Sequence, residues 1–226
     1  MADKPAVRVQ KSILSKMEKK LLDRIANRLS KRINPDHLTG IGLIGAFLAG
    51  GGYILSNFGK GFLWLSSLGF IVNWVGDSLD GTLARVRKIQ RPTYGFYLDH
   101  NVDAITALVI AIGAGISPFF SFAVAMFILV GYFLLCIFTY INTYLKGSFK
   151  ISYSGMGPTE LRLVIIFLNC LFFFLPAKNP NIILLGITLK FFDLFALGIA
   201  LVLMALYFYY FFALKKEYEK VDPPLF

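Results

Sequence analysis

Charge is scarce in this chain: Asp, Glu, Lys and Arg make up only 16% of its 226 residues, against roughly 25% in soluble domains. Acidic groups are scarcer than basic ones, 13 Asp and Glu against 23 Lys and Arg, so the formal net charge is +10. There are two cysteines, Cys136 and Cys170, both inside apolar runs, where a thiol packs as a small hydrophobe; a disulfide framework is excluded. No His or Cys cluster exists, which argues against a zinc site. The N-terminus lacks a short apolar stretch followed by a small-residue cleavage site, and residues 1–37 are polar and basic; no cleaved leader is expected. What fills the space left by charge is apolar: 57% of residues are hydrophobic and the mean hydropathy is +0.66. That excludes an ordinary soluble domain and implies a membrane protein.

Taking about 20 apolar residues as one crossing, six spans are predicted, at 38–57, 61–85, 96–116, 120–145, 158–176 and 181–214. The breaks between them are rich in turn formers or charge, as at Asn57-Phe58-Gly59-Lys60 and Ser117-Pro118. Six spans place both termini on one side. Lys and Arg accumulate in cytoplasmic loops, and the N-terminal segment, Arg85 to Lys88 with Arg91, Lys146 with Lys150, and Lys215-Lys216 all fall on one face. Only Lys60 and Lys178 mark the other. Both termini are therefore expected in the cytoplasm, with a tail over 215–226.

Within 1–37, Ile13, Leu14, Met17, Leu21, Ile25 and Leu29 recur at helical spacing, interleaved with Lys16, Lys19, Lys20, Arg24, Arg28 and Lys31. This pattern predicts an amphipathic helix on an anionic leaflet, or a basic segment that enforces orientation. It has no nucleic-acid-binding fold and abuts a span, so no nucleic-acid partner is expected. The fold class is an all-α integral membrane protein: six transmembrane helices over 38–214, preceded by a cytoplasmic amphipathic juxtamembrane helix.

Against this apolar background, four aspartates stand within 27 residues. Each costs about 2.5–3.5 kcal/mol to insert on translocon scales, so a group of them has a function. Asp77 and Asp80 are three apart near the end of the second span; Asp99 and Asp103 are four apart near the start of the third. Either spacing puts a pair on one helix face. The second span runs toward the cytoplasm and the third runs back, so both pairs lie at similar depth on the cytoplasmic side. Four carboxylates brought together repel, and one or two divalent cations would neutralise them. All-oxygen ligands favour Mg²⁺ or Mn²⁺. Gly81, Ala84 and Gly95 leave side chains out around the pairs, through ligand approach or close helix packing. Arg85 is either a bidentate phosphate partner or an orientation anchor.

Asp77-Ser-Leu-Asp80-Gly81-Thr-Leu-Ala84-Arg85 followed by Gly95-Phe-Tyr-Leu-Asp99-His-Asn-Val-Asp103 resembles the signature of the CDP-alcohol phosphotransferases, D-x-x-D-G-x-x-A-R…G-x-x-x-D-x-x-x-D. All eight positions match, with a spacer of nine residues between Arg85 and Gly95, one longer than usual. The resemblance implies that Asp77, Asp80 and Asp99 hold metal, Mg²⁺ or Mn²⁺ as two ions. Asp103 would both touch metal and act as the base that takes the acceptor's proton. It further implies that Asp80, Gly81, Ala84, Arg85 and Gly95 line a CDP pocket with Thr39, which is similar to the threonine of the family's P-N-x-L-T element. Here that element reads Pro35-Asp36-His37-Leu38-Thr39, and Asp36 departs from the pattern. The reaction implied is transfer of a substituted phosphate from a CDP-linked donor to an alcohol, with loss of CMP, at the membrane.

Both donor branches stay open: CDP-diacylglycerol attacked by a polar alcohol, or CDP-choline or CDP-ethanolamine attacked by a lipid alcohol. Asp99-His100-Asn101-Val102-Asp103 and Thr159-Glu160 are similar to elements of choline and ethanolamine phosphotransferases, yet the chain is much shorter. Lys146, Lys150, Glu160 and Arg162 are expected to border the acceptor pocket. Gly42, Gly45 and Ala49 give the first span a face for close packing or a homodimer contact. Lys190 and Asp193, three apart, are expected to neutralise each other. Two competing readings are a prenyltransferase, from the loose likeness of Asn73-x-x-x-Asp77-x-x-Asp80 to its aspartate motifs, and a cation transporter using the carboxylates.

Overall fold

A computed structural model describes residues 7–9, 15–146, 148–150, 157–175, 180–184 and 187–224. Helices dominate it: α1 (Ser15–Arg28), α2 (Pro35–Leu55), α3 (Phe62–Val86), α4 (Pro92–Ile116), α5 (Phe122–Lys146), α6 (Pro158–Phe174) and α7 (Asp193–Val221). Four short strands accompany them. β1 (Val7–Val9) pairs in parallel with β2 (Ser148–Lys150), and β3 (Asn181–Leu184) pairs antiparallel with β4 (Ile187–Lys190). Among the described residues α2, α3, α4, α5 and α7 are long and apolar enough to cross a membrane, so this is a multi-pass membrane protein. The 17-residue α6 is a further, shorter helix.

Helix ends follow local chemistry more than hydropathy. The first span was expected from residue 38, but α2 begins at Pro35 because Asn34 caps it: Asn34 Oδ1 accepts the His37 N–H at 2.9 Å, and proline suits the first turn. α3 closes where Lys88 enters the left-handed region, φ 57°, and Ile89 N–H reaches back to the Ala84 carbonyl at 3.0 Å. The chain then reverses into α4. The expected last span, 181–214, is corrected: its first ten residues contain the β3–β4 hairpin, and the helix starts at Asp193. Ile182, Ile183, Ile187 and Thr188 are β-branched, and a short apolar run of this kind suits a strand as well as a buried helix. At its other end α7 continues through Val221, docked on α5 by Tyr218 Oη donating to Asn142 Oδ1 at 3.0 Å and by the Lys146–Glu217 pair at 2.8 Å.

α2 and α3 pack backbone against backbone. A Cβ on Gly45 would strike Asn73 and Gly69, one on Gly69 would strike Ala49 and Gly45, and one on Gly76 would strike Gly42 and Leu38. α4 joins through Gly113 against Gly50. The small-residue face of Gly42, Gly45 and Ala49 is thus used up inside the chain. At the end of the bundle away from the aspartates, Phe70, Phe119, Phe172 and Phe192 form an aromatic core, and Tyr53 donates to Asn169 Oδ1 at 2.7 Å. Asp193 and Lys190 do not simply neutralise each other there. Asp193 accepts the Ser121 N–H and hydroxyl and the Lys190 N–H, while Lys190 Nζ donates to the Ser117 and Phe120 carbonyls at 3.1 and 2.8 Å.

α1 is amphipathic, and its buried stripe is the expected one in part: Ile25 and Leu29 pack against the core. Met17 and Leu21 are exposed, whereas Leu22 and Ala26 pack with Leu38, Leu79 and Leu83; Ile13 and Leu14 lie outside the described residues, as does Lys178. Arg87 donates to the Leu29, Ser30 and Ile33 carbonyls and ties down the end of α1. In the buried stripe stands Glu18, whose Oε1 accepts from Trp74 Nε1 at 2.9 Å, Ser78 Oγ at 3.3 Å and Thr159 Oγ1 at 2.9 Å. One carboxylate therefore joins α1, α3 and α6. Glu18→Ala is expected to weaken α1 docking by about 1–3 kcal/mol, the value of hydrogen bonds to a charged group. The check is limited trypsin digestion, with faster cleavage at Lys19, Lys20 and Arg24; an unchanged rate would contradict it.

Candidate functional site

The interlocked glycines set α2 and α3 close enough for their side chains to meet beside α4. The result is a small cavity lined by Thr39 and Gly42 of α2, Asn73, Asp77 and Asp80 of α3, and Asp99, Val102, Asp103 and Thr106 of α4. Asp77, Asp99 and Asp103 each offer an oxygen within 4.8 Å of the others. Asp80 is turned to α2, where Thr39 Oγ1 donates to its Oδ2 at 2.6 Å. The same hydroxyl lies 3.2 Å from the Pro35 carbonyl, so the capped first turn of α2 positions the group that holds Asp80.

One cation of the protein itself enters this anionic cluster. Arg162 of α6 donates through Nη2 to Asp77 Oδ2 at 2.7 Å, with 13% and 26% of the two side chains exposed. Shielded from water to this degree, the pair is screened little by salt. It ties Asp77 to α6. Three further carboxylates remain for it to balance only in part, so the donor set of clustered carboxylate oxygens fits a hard divalent cation.

The other expected residues fall around this centre. Gly81 follows Asp80 and donates its N–H to Asp80 Oδ1; Ala84 lies one turn on. Arg85 is exposed and donates to Thr82 Oγ1 at 2.9 Å. Gly95 is exposed in the first turns of α4, and a Cβ there would meet nothing within 4 Å, so helix packing does not require that glycine. Asp36, the residue that departs from the expected element, pairs with Arg91 between the starts of α2 and α4. His100 lies tilted against Phe96, centroids 4.0 Å apart, and edge-on to Tyr140 at 5.0 Å.

Of the residues expected around an acceptor, only Arg162 is brought to the aspartates by a described contact. Lys146 is engaged with Glu217 and lies 5.5 Å over the Tyr218 ring. Glu160 Oε2 accepts the Gly157 N–H at 2.9 Å and closes the first turn of α6. The side chain of Lys150 lies outside the described residues. Sequence reasoning missed Glu18, hidden among lysines, and Thr106, although its place three residues after Asp103 was a signal that it shares the carboxylate face. Compared with known families, residues 32–211 match CDP-alcohol phosphatidyltransferase. No curated protein matches the chain.

Proposed function

The chain belongs to the CDP-alcohol phosphatidyltransferase family, a family of transferases of phosphate-containing groups, and from that premise we propose that it makes a phospholipid by metal-dependent transfer of a substituted phosphate from a CDP-linked donor to an alcohol, releasing CMP. The observation that carries this reading is the convergence of Asp77, Asp99 and Asp103 within 4.8 Å in a cavity shared with Asp80. Mg²⁺ or Mn²⁺ bound by these carboxylates supplies a positive centre that offsets the charge of a diphosphate. Thr39 fixes Asp80, and Arg162 fixes Asp77, so that both carboxylates are held in place before substrate arrives. Gly81, Ala84, Arg85 and Gly95 border the nucleotide, with Arg85 as a phosphate partner. Asp103 takes the proton from the attacking hydroxyl as a general base. Arg162 borders the acceptor pocket, with Lys146, Lys150 and Glu160 as further residues proposed there.

In this reading α6 is the fifth of six spans, residues 38–214 are the catalytic unit, and both termini and the carboxylates face the cytoplasm, where the basic loops lie. A homodimer belongs to it as well, through a face other than Gly42, Gly45 and Ala49, which α3 covers. The donor is CDP-diacylglycerol, or CDP-choline or CDP-ethanolamine. The test is CMP release by the purified protein in lipid with Mg²⁺ or Mn²⁺. CDP-diacylglycerol plus a panel of polar alcohols is set against CDP-choline and CDP-ethanolamine plus diacylglycerol. Release with one donor class is expected. No release from any donor, with no binding of CDP compounds, would overturn the proposal.

A further inference from the structure

Two residues that line the aspartate cavity carry an oxygen with no hydrogen-bond partner, Asn73 Oδ1 and Thr106 Oγ1, although Asn73 is only 2% and Thr106 7% exposed. Buried polar atoms are nearly always satisfied, so two orphans on residues around one cavity call for a ligand. The orientation of Asn73 is settled by its other end. Its Nδ2 donates to the Gly42 carbonyl at 2.9 Å, and because a carbonyl only accepts, the amide oxygen must be the atom turned away from it. Thr82, Thr139 and Thr143 each return a hydroxyl to the carbonyl four residues earlier, at 2.8, 2.7 and 2.7 Å, and Thr39 and Thr159 donate to the Asp80 and Glu18 carboxylates at 2.6 and 2.9 Å; Thr106 Oγ1 has neither kind of partner.

Both residues sit one helical turn deeper than the carboxylates. Asn73 is four residues before Asp77 and Thr106 three after Asp103, so each shares the face of its aspartate. The cavity that these two residues line together with the four aspartates measures about 10 Å³, room for one water. A water that donates one proton to Asn73 Oδ1 and the other to Thr106 Oγ1 keeps its lone pairs for a cation. Mg²⁺ characteristically keeps waters among its ligands.

We propose that Asn73 and Thr106 hold a single water that serves as the inner, neutral ligand of the divalent cation bound by the aspartates, on the side facing the bundle interior. The inference rests on the metal-dependent reading above. Asn73 and Thr106 act as positioning residues: they touch the water, and through it tune the cation.

The test is titration of purified protein in lipid nanodiscs with Mn²⁺ alone, followed by the paramagnetic resonance of free Mn²⁺ and by the rise in thermal unfolding temperature. Thr106→Val keeps the shape and removes the hydroxyl; it is expected to weaken Mn²⁺ binding about 10–100-fold, the usual loss for an outer-shell partner, without lowering the unfolding temperature of the metal-free protein. Thr106→Ala, which adds no bulk, is expected to show the same weakening, and Thr106→Ser to restore binding. Asp77→Asn reports on the underlying reading. If it loses Mn²⁺ while Thr106→Val and Thr106→Ala bind like the wild type, the water site is overturned and the metal centre stands. If the wild type binds no Mn²⁺, or Asp77→Asn binds it equally well, the metal-dependent reading fails and takes the water site with it.

Discussion

Asp103→Asn is expected to lower CMP release by about 10²–10⁴-fold, the usual contribution of a general base, in a protein that still folds. Asp103 lines the cavity with Asp77 and Asp99, and one of its oxygens lies within 4.8 Å of theirs. Asn has nearly the same shape, so packing along α4, which docks through Gly113 against Gly50, is undisturbed. What the amide loses is a negative charge and the capacity to take a proton. Those two losses separate in a Mn²⁺ titration. A weakened ligand is compensated by more metal, as expected for Asp99→Asn, whereas a missing base is not. Activity of Asp103→Asn that returns to the wild-type level at high Mn²⁺ would reduce Asp103 to a ligand and sink its role as base.

Gly76→Leu is expected to have the largest effect on stability. An added Cβ would sit 2.5 Å from Gly42 Cα and 2.6 Å from the Leu38 carbonyl oxygen. These are backbone atoms of α2, so no rotamer change relieves the clash, and the two helices must separate. Overpacking costs about 1–3 kcal/mol where side chains can adjust, and more where they cannot. Separation also draws Thr39 away from Asp80, which it holds at 2.6 Å, so activity falls with stability. Gly40→Ala is the control: a Cβ at Gly40 meets nothing within 4 Å, and alanine favours a helix over glycine by about 1 kcal/mol. Thermal unfolding in detergent reads both. Equal midpoints for the two variants would refute the backbone contact between α2 and α3.

The carboxylates illustrate which parts of the site are legible in the sequence. Asp77 with Asp80, and Asp99 with Asp103, belong to one face each because a helix advances by a fixed angle per residue. Apolar runs likewise locate α2 to α5 within a few residues, since insertion depends on local composition. Where two local signals compete, hydropathy alone misleads: the apolar pattern extends the last span back to residue 181, yet Asn181–Leu184 and Ile187–Lys190 pair as antiparallel strands.

Other features have no local signature at all. The pairing of Arg162 with Asp77 joins residues 85 positions apart, and Glu18 meets Thr159 across 141. Nothing in the neighbourhood of Glu18 distinguishes it from a solvated charge on a basic helix. Its role follows from the stripe of α1 that turns inward, Leu22 and Ala26 rather than Met17 and Leu21. In the same way Thr106 is one threonine among several until packing places it in the lining of the aspartate cavity. Periodicity states which residues share a face. How each helix is rotated, and which helix lies across from it, depends on shape complementarity over the whole bundle, above all the glycine contacts that let α2, α3 and α4 approach backbone to backbone.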